Sequence, residues 1–378
     1  MSSLLTDSEI LLKKTVEDFA QKEIAPRASL IDRTGEYPFE NVRQLAKMNL
    51  LGIPIAQQHG GAGAGMTGFA ISVRELAKAC ANTAFICGVH TMVALSLQLF
   101  GTDDQKARFL TPLSQGEKIG AFAMTEPQAG SDAAAIKTSA VREGDRYVLN
   151  GNKCFITSAG AADTYLVFAS TDLSKGSRGI SAFIIERDSP GIRVGKIEDK
   201  IGLRASSNGE VFLEACKVPC ENLLGKEGEG FKIALTALDY GRIGAAALGV
   251  GLAEASLEAS LGYAKQRVQF GQAIASFQAI QFAIADMATE TEAAWLLCYE
   301  AALLADRNEK FTKHAAMAKV YASEIALKAS EQAIQVHGGY GLSRELSVER
   351  HMRDAKALAM IEGTSEIQRL VIAREVLR

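Results

Sequence analysis

No proline stands between Cys220 and Arg378, although seven occur before that stretch. Proline locks φ, lacks an N–H and breaks a helix interior, so its absence frees this part of the chain to run as long helices. Apolar residues there recur at helical spacing. Phe231, Ala234, Leu235 and Leu238 form one stripe, and Leu296, Leu297, Ala301 and Leu304 form another. Alanine-rich amphipathic helices joined by short turns predict a helical bundle over residues 225–378.

The chain before this bundle divides in two. Residues 1–118 read as helical. Thr6 and Glu9 have capping-box spacing ahead of Ile10, Leu11, Val16 and Phe19, and Pro38 stands where a further helix starts. Gly52 and Pro54 then break the chain before a glycine-rich loop. Residues 119–224 change to strand-like runs, at Thr164–Ala169, Ile180–Ile185 and Glu210–Glu214. Tyr147-Val148-Leu149 and Lys153–Thr157 flank Asn150-Gly151, which predicts a hairpin turn. The expected fold is α+β: an N-terminal helical domain, a central antiparallel barrel or sandwich, and a C-terminal helical bundle.

Composition narrows the function classes. Hydrophobic residues make up 48% and charged residues 22% of 378 positions, an ordinary globular balance. A net charge of -3 without a long basic run gives no footprint for nucleic acid. The apolar stretch from Cys80 to Phe100 is interrupted by Asn82, Thr83, His90, Thr91, Ser96 and Gln98, which predicts a buried helix and no membrane span. Six cysteines and five histidines are scattered without ligand spacing, so reduced thiols and no metal site are expected. Asp7 and Glu9 lie in an N-terminus lacking the marks of a signal or transit peptide, and a cytoplasmic setting is expected.

Gly63-Ala64-Gly65-Met66-Thr67-Gly68 fits the pattern GxGxxG. A dinucleotide loop needs a parallel strand before it and a βαβ context. Helical flanks and Gln57-Gln58-His59 argue for a loop between helices instead.

Near the C-terminus, Ser365 and Gln368 have capping-box spacing, so a helix is expected to begin near Thr364 or Ser365. Glu362 then lies in the loop just before it. A carboxylate there is either a solvated loop residue or a base whose pKa rises once water is excluded.

With this segment the chain resembles the acyl-CoA dehydrogenase family along essentially its whole length, most closely its short-chain, butyryl-CoA branch. The carrying motifs are Phe122–Asp132, Asp239-Tyr240-Gly241-Arg242, Arg267–Gly271, Gln335–Gly339, Met352-Arg353-Asp354-Ala355 and Glu362–Ile367. The resemblance implies FAD as cofactor and α,β-dehydrogenation of an acyl-CoA thioester to the trans-2-enoyl-CoA. Glu362 would abstract the α-proton, and flavin N5 would accept the β-hydride. Another branch of the family carries its base at the place of Gly241, which has no side chain. Phe122, Met124, Thr125, Ser131, Phe155, Ile156 and Thr157 would surround the flavin ring. Arg267, Phe270, Gln278, Gln335, Gly338, Gly339, Thr364 and Glu366 would hold the rest of the cofactor, some of them from a neighbouring subunit. Ser131, Asp239, Tyr240, Arg242 and Gly363 would contact the thioester, and His90 and Thr91 would line the acyl pocket. Arg178 and Arg204 are candidates for the CoA phosphates.

The resemblance further implies electron-transfer flavoprotein as partner and a homotetramer. Ile361 and Phe155 depart from the tyrosine and tryptophan that many relatives carry, and the smaller Ile361 leaves room for a branched or cyclic acyl group. Two other readings share these residues. A flavin oxidase of the same fold would reoxidise rapidly in air, and a non-catalytic helical scaffold would take up no FAD.

Overall fold

The computed structural model describes residues 5–377. Its helices are α1 (Asp7–Phe19), α2 (Ala25–Thr34), α3 (Phe39–Lys47), α4 (Gly65–Ala79), α5 (Ala81–Phe100), and the short α6 (Asp103–Gln105) and α7 (Thr111–Ser114). After the sheet come α8 (Gly230–Gln266), α9 (Gln278–Asp306), α10 (Thr312–His337), α11 (Val348–Leu358) and α12 (Ser365–Val376). The Thr6/Glu9 capping box forms, with Thr6 accepting from Glu9 N and the Glu9 carboxylate accepting from Thr6 N. Pro38 is the N-cap of α3.

Eight strands form the sheet: β1 (Gly120–Ala123), β2 (Ser139–Glu143), β3 (Arg146–Ile156), β4 (Thr164–Ser170), β5 (Ile180–Glu186), β6 (Ile192–Ile197), β7 (Gly209–Pro219) and β8 (Leu223–Leu224). Their order is β6-β7-β3-β2-β4-β5-β8, with β1 beside β4. Pairing is antiparallel, except that β1 and one rung of β2 run parallel to β4.

The expected turn at Asn150-Gly151 is not there. β3 passes straight through it, and the register against β7 shifts between Leu149 and Gly151, so the pair forms a bulge. Two contacts explain this. Asn150 Oδ1 accepts from Ala215 N at 2.8 Å, and a Cβ on Gly151 would stand 2.3 Å from Thr138 Oγ1. The turn actually lies at Gly144-Asp145, where Glu143 pairs with Arg146 and Gly144 takes a φ of +64°.

The GxGxxG segment opens α4, preceded by a 3-10 turn at Gln57–His59 rather than a strand. The first amides of α4 are already satisfied, because Met66 N and Thr67 N donate to the Asp306 carboxylate at 2.5 and 2.9 Å. No phosphate cradle remains there.

α5 and α8 are long and apolar enough to cross a membrane, yet 78% and 72% of their apolar windows are buried inside the fold. They are core helices of one apolar interior that joins the helices to the sheet. Where α4 meets α8 and α9 the core is ionic. Buried Arg74 donates through Nε and Nη2 to Glu254 at 2.8 and 2.9 Å and lies 4.5 Å from the centre of the Trp295 ring. Buried Glu75 and half-buried Lys78 complete the cluster. Removing one partner of a buried pair strands the other charge. Arg74→Met is therefore expected to destabilise the fold by about 3–5 kcal/mol, measured by denaturant unfolding; a change near zero would contradict this account of the cluster.

Candidate active site

α12 is capped by Thr364, whose Oγ1 accepts from Ile367 N at 3.3 Å. Gln368 does not close a capping box on Ser365. Its Nε2 turns back and donates to the carbonyls of Glu362 and Gly363, both at 3.0 Å. The turn needs such support because Glu362 has a φ of +53° and Gly363 a φ of +89°. A non-glycine residue in the left-handed region is strained and persists where its surroundings dictate it. A second donor reaches the same turn from α10: buried Lys319 Nζ donates to Gly363 O at 2.7 Å.

This backbone turns the Glu362 side chain inward. The residue as a whole is half-buried, but Oε2 is sealed from solvent and has no hydrogen-bond partner among the described residues. Burial pushes its carboxyl up to about 7, against the opposing pull of Lys319 and Arg242. The Glu362 N–H also has no acceptor among the described residues.

Gly241 of α8 lies against this carboxylate. A Cβ on it would stand 2.8 Å from Glu362 Oε2 and 2.6 Å from Met92 Sδ. No side chain fits at 241 while Glu362 occupies its place, so the site holds one carboxylate rather than two. One residue on, Arg242 is buried, which excludes a surface role for it. Its Nη1 donates to Asp239 Oδ1 at 2.5 Å, Thr312 Oγ1 donates to Asp239 Oδ2 at 2.7 Å, and Arg242 Nε has no partner among the described residues. Tyr240 packs on Phe311 with ring centres 4.9 Å apart.

His90, expected along the acyl pocket, is buried in α5. It does not offer a polar atom to an acyl pocket, because both ring nitrogens serve the backbone. Nε2 donates to Leu113 O at 3.0 Å, and Nδ1 accepts from Gly120 N at 3.1 Å. Burial lowers its pKa to about 4, so it stays neutral. Thr91 is buried as well. The α5 residue that meets the Glu362 corner is Met92, which the sequence reading missed; His90, two positions back, ties the same helix to the start of β1.

In β1, Phe122 packs on Phe168 with ring centres 4.9 Å apart, and Met124 just past the strand is buried. Thr125 O accepts from Cys154 N at 2.9 Å, while its hydroxyl makes no hydrogen bond among the described residues. A buried ion pair fixes this segment, with Lys153 Nζ donating to Glu126 Oε1 at 2.7 Å and to Met124 O at 3.0 Å. Lys137 N, Thr138 N and Gln128 Nε2 also donate to the Glu126 carboxylate. Ile156 is buried, and Thr157 Oγ1 accepts from Asn208 Nδ2 at 2.9 Å. Phe155 has a φ of +55° and is 61% exposed, and Ser131 is exposed too.

The remaining candidates lie elsewhere. Arg267 caps α8, about 37 Å along the helix axis from Arg242 at ~1.5 Å per residue. Phe270 and Gly271 form a two-residue hairpin turn with both φ positive, and the Phe270 ring is 93% exposed at its tip. Gln278, Gln335 and Glu366 are exposed. Gly338 and Gly339 face open space beside a concavity of about 390 Å³ lined by Arg267, His337 and Tyr340, among others. Of the two arginines considered for phosphates, Arg204 is engaged by Asp199 and by the Asp32 carbonyl.

The raised pKa of Glu362 has a consequence for stability. The folded carboxyl holds its proton to about pH 7, whereas an unperturbed one releases it near 4.5. Between these values the unfolded chain binds fewer protons, so stability falls as pH rises through the window and the cost stays in full above it. Glu362→Gln carries no such charge. It is expected to melt above the wild type at pH 8, with the difference closing as pH approaches 4.5; a difference independent of pH would contradict the desolvation of this group.

Comparison with known proteins agrees with the geometry along the chain. Residues 6–117, 121–216 and 228–377 match the N-terminal, middle and C-terminal domains of acyl-CoA dehydrogenase. The short-chain-specific acyl-CoA dehydrogenase of Clostridium acetobutylicum is 46% identical over 375 residues, 99% of each chain. Butyryl-CoA dehydrogenase from Megasphaera elsdenii superposes with a TM-score of 0.97 at 44% identity over 99% of each chain. A chain from structural work on the electron transferring flavoprotein of Acidaminococcus fermentans gives 0.98 at 44% identity, again over 99% of each. The chain belongs to the acyl-CoA dehydrogenase family, whose members are FAD-dependent oxidoreductases.

Proposed function

We propose that this chain dehydrogenates a short-chain or small branched or cyclic acyl-CoA, with Glu362 as the base that takes the α-proton. The observation that carries the reading is a desolvated carboxylate oxygen left without a partner in a fold of this family. A base works best with a pKa near the working pH, and burial brings Glu362 there. The unpaired Glu362 N–H is available to donate to the thioester carbonyl, which would stabilise enolate charge and acidify the α-carbon. Arg242, locked by Asp239, sets the positive side of the site. Ser131, Tyr240 and Gly363 would contact the thioester, and Ile361 beside the core leaves room for a compact acyl group.

The residues fit FAD. The free Thr125 hydroxyl and the held Thr157 hydroxyl flank a backbone fixed by Glu126 and Lys153, with Phe122, Met124, Phe155 and Ile156 around them. When bound, FAD supplies the hydride acceptor. Arg267, Gly338 and Gly339 offer charge and close approach for a pyrophosphate, and Phe270, Gln278, Gln335, Thr364 and Glu366 would complete the ligand set. Because Arg267 and Arg242 lie so far apart along α8, one chain would supply the phosphate side of its neighbour's site. A homo-oligomer would then be required, with a tetramer as the state the family resemblance implies.

Electrons would pass to electron-transfer flavoprotein, and exposed Phe155 marks the face it would meet. Six unpaired thiols suit a reducing cytoplasm. The domain divisions we adopt are 1–118, 119–224 and 225–378.

The test is flavin bleaching in anaerobic holoenzyme. Glu362→Gln should keep its bound FAD but lose bleaching by butyryl-CoA by about 10²-fold or more. Near-normal bleaching would remove Glu362 from this role. Scoring butyryl-, hexanoyl-, isobutyryl-, isovaleryl-, glutaryl- and cyclohexanecarboxyl-CoA identifies the acyl group. Reduced flavin that survives in air supports the dehydrogenase, whereas rapid peroxide formation supports an oxidase.

A further inference from the structure

We propose that Lys319 is a positioning residue for Glu362, holding the strained turn through the Gly363 carbonyl and keeping the base ionisable by its charge. The inference rests on Glu362 being the base.

Lys319 lies in the middle of α10 and is fully buried, an unusual place for an ammonium. Its one hydrogen bond among the described residues goes to the backbone, at 2.7 Å from Gly363 O. Among the described residues no carboxylate lies within ion-pair distance of it, so an ordinary structural salt bridge does not account for its burial. The two consecutive left-handed residues, Glu362 and Gly363, are clamped from both sides, by Lys319 from α10 and by Gln368 from α12. Together they fix the direction in which the Glu362 side chain leaves the backbone.

The second part of the role is electrostatic. Among the charged groups acting on Glu362, Lys319 from α10 comes first and Arg242 from α8 second, both favouring the carboxylate against burial. Arg242 already has Asp239 as a close counter-ion. Around Lys319 itself stand Glu362, Arg242, Glu366 from α12 and Glu324 from its own helix, and burial brings its pKa down to about 8. An ammonium aimed at a carbonyl rather than at the carboxylate lowers the cost of the anion without quenching it by contact. A carboxylate bonded to a lysine would be a weaker base. Lys319 stands one residue away and leaves Oε2 bare.

The experiment uses FAD-loaded full-length protein, with butyryl-CoA as reductant and the rate of flavin bleaching followed from pH 5.5 to 9.5. Lys319→Met keeps the length and apolar stem but loses donor and charge. It should bleach more slowly, with the midpoint of its pH profile displaced upward by about one unit or more, the usual effect of an opposite charge at close range. Lys319→Gln retains a donor without the charge and should show the same displacement with a smaller loss of rate; it also serves if the methionine variant does not fold. An unmoved midpoint in a folded, FAD-bound variant overturns the electrostatic role. An unmoved rate as well overturns the proposal altogether. Glu362→Gln separates this from failure of the base assignment. If that variant is inactive while both Lys319 variants behave as wild type, only the inference about Lys319 falls. If Glu362→Gln itself bleaches normally, the assignment beneath it falls first.

Discussion

The free energy of one desolvated oxygen organises this site. Glu362 Oε2 is buried and makes no hydrogen bond among the described residues, an arrangement that costs stability wherever it occurs. Every neighbour bears on keeping it so. Gly241 withholds a side chain that would collide with it, Met92 closes the apolar side, and Arg242 is turned toward Asp239. Lys319 and Gln368 bind the backbone of the turn rather than the carboxylate it carries. The positive φ at Glu362 stores strain in the same few atoms. Such a turn survives because it is held from two helices at once.

Rigidity reaches the corner through α5. His90 joins that helix to Leu113 and to the start of β1 through its two ring nitrogens, and Met92, two residues on, meets the Gly241 and Glu362 corner. From β1 the chain runs directly into the segment pinned by Glu126 and Lys153. Buried ion pairs contribute little net stability but impose geometry when every lone pair is satisfied. Glu126 meets that condition, accepting from a lysine, two backbone amides and a glutamine. The sheet face and the base on the helical side are thus indexed to each other by one helix.

Much of this was legible in the residues. The proline-free stretch and its apolar spacing correspond to α8 through α12, and the Thr6/Glu9 box starts α1 as read. Helix periodicity and capping are local, so local sequence carries them. Asn150-Gly151 misled because turn chemistry is also local while the bulge is decided across strands, by Ala215 and Thr138. Gln368 was misread for a similar reason: its spacing suits a capping box, yet the carbonyls it meets are those of the strained turn. Lys319, Met92 and the Glu126–Lys153 pair carried no readable signal toward the site. A lysine or methionine inside a helix looks like surface or core until tertiary packing brings residue 319 against 363, or 92 against 241. His90 is the converse case, a polar residue in an apolar helix whose partners turned out to be two backbone groups.

The central claim is that Glu362 holds its proton far above the ordinary carboxylate range because it is desolvated. Infrared difference spectroscopy of the holoenzyme, titrated with pH and compared with Glu362→Gln, reads that carboxyl directly. A protonated carbonyl band that disappears near pH 7, and is missing from the variant, is the expected result. A band that disappears near pH 4.5, as for a carboxyl in water, would contradict it.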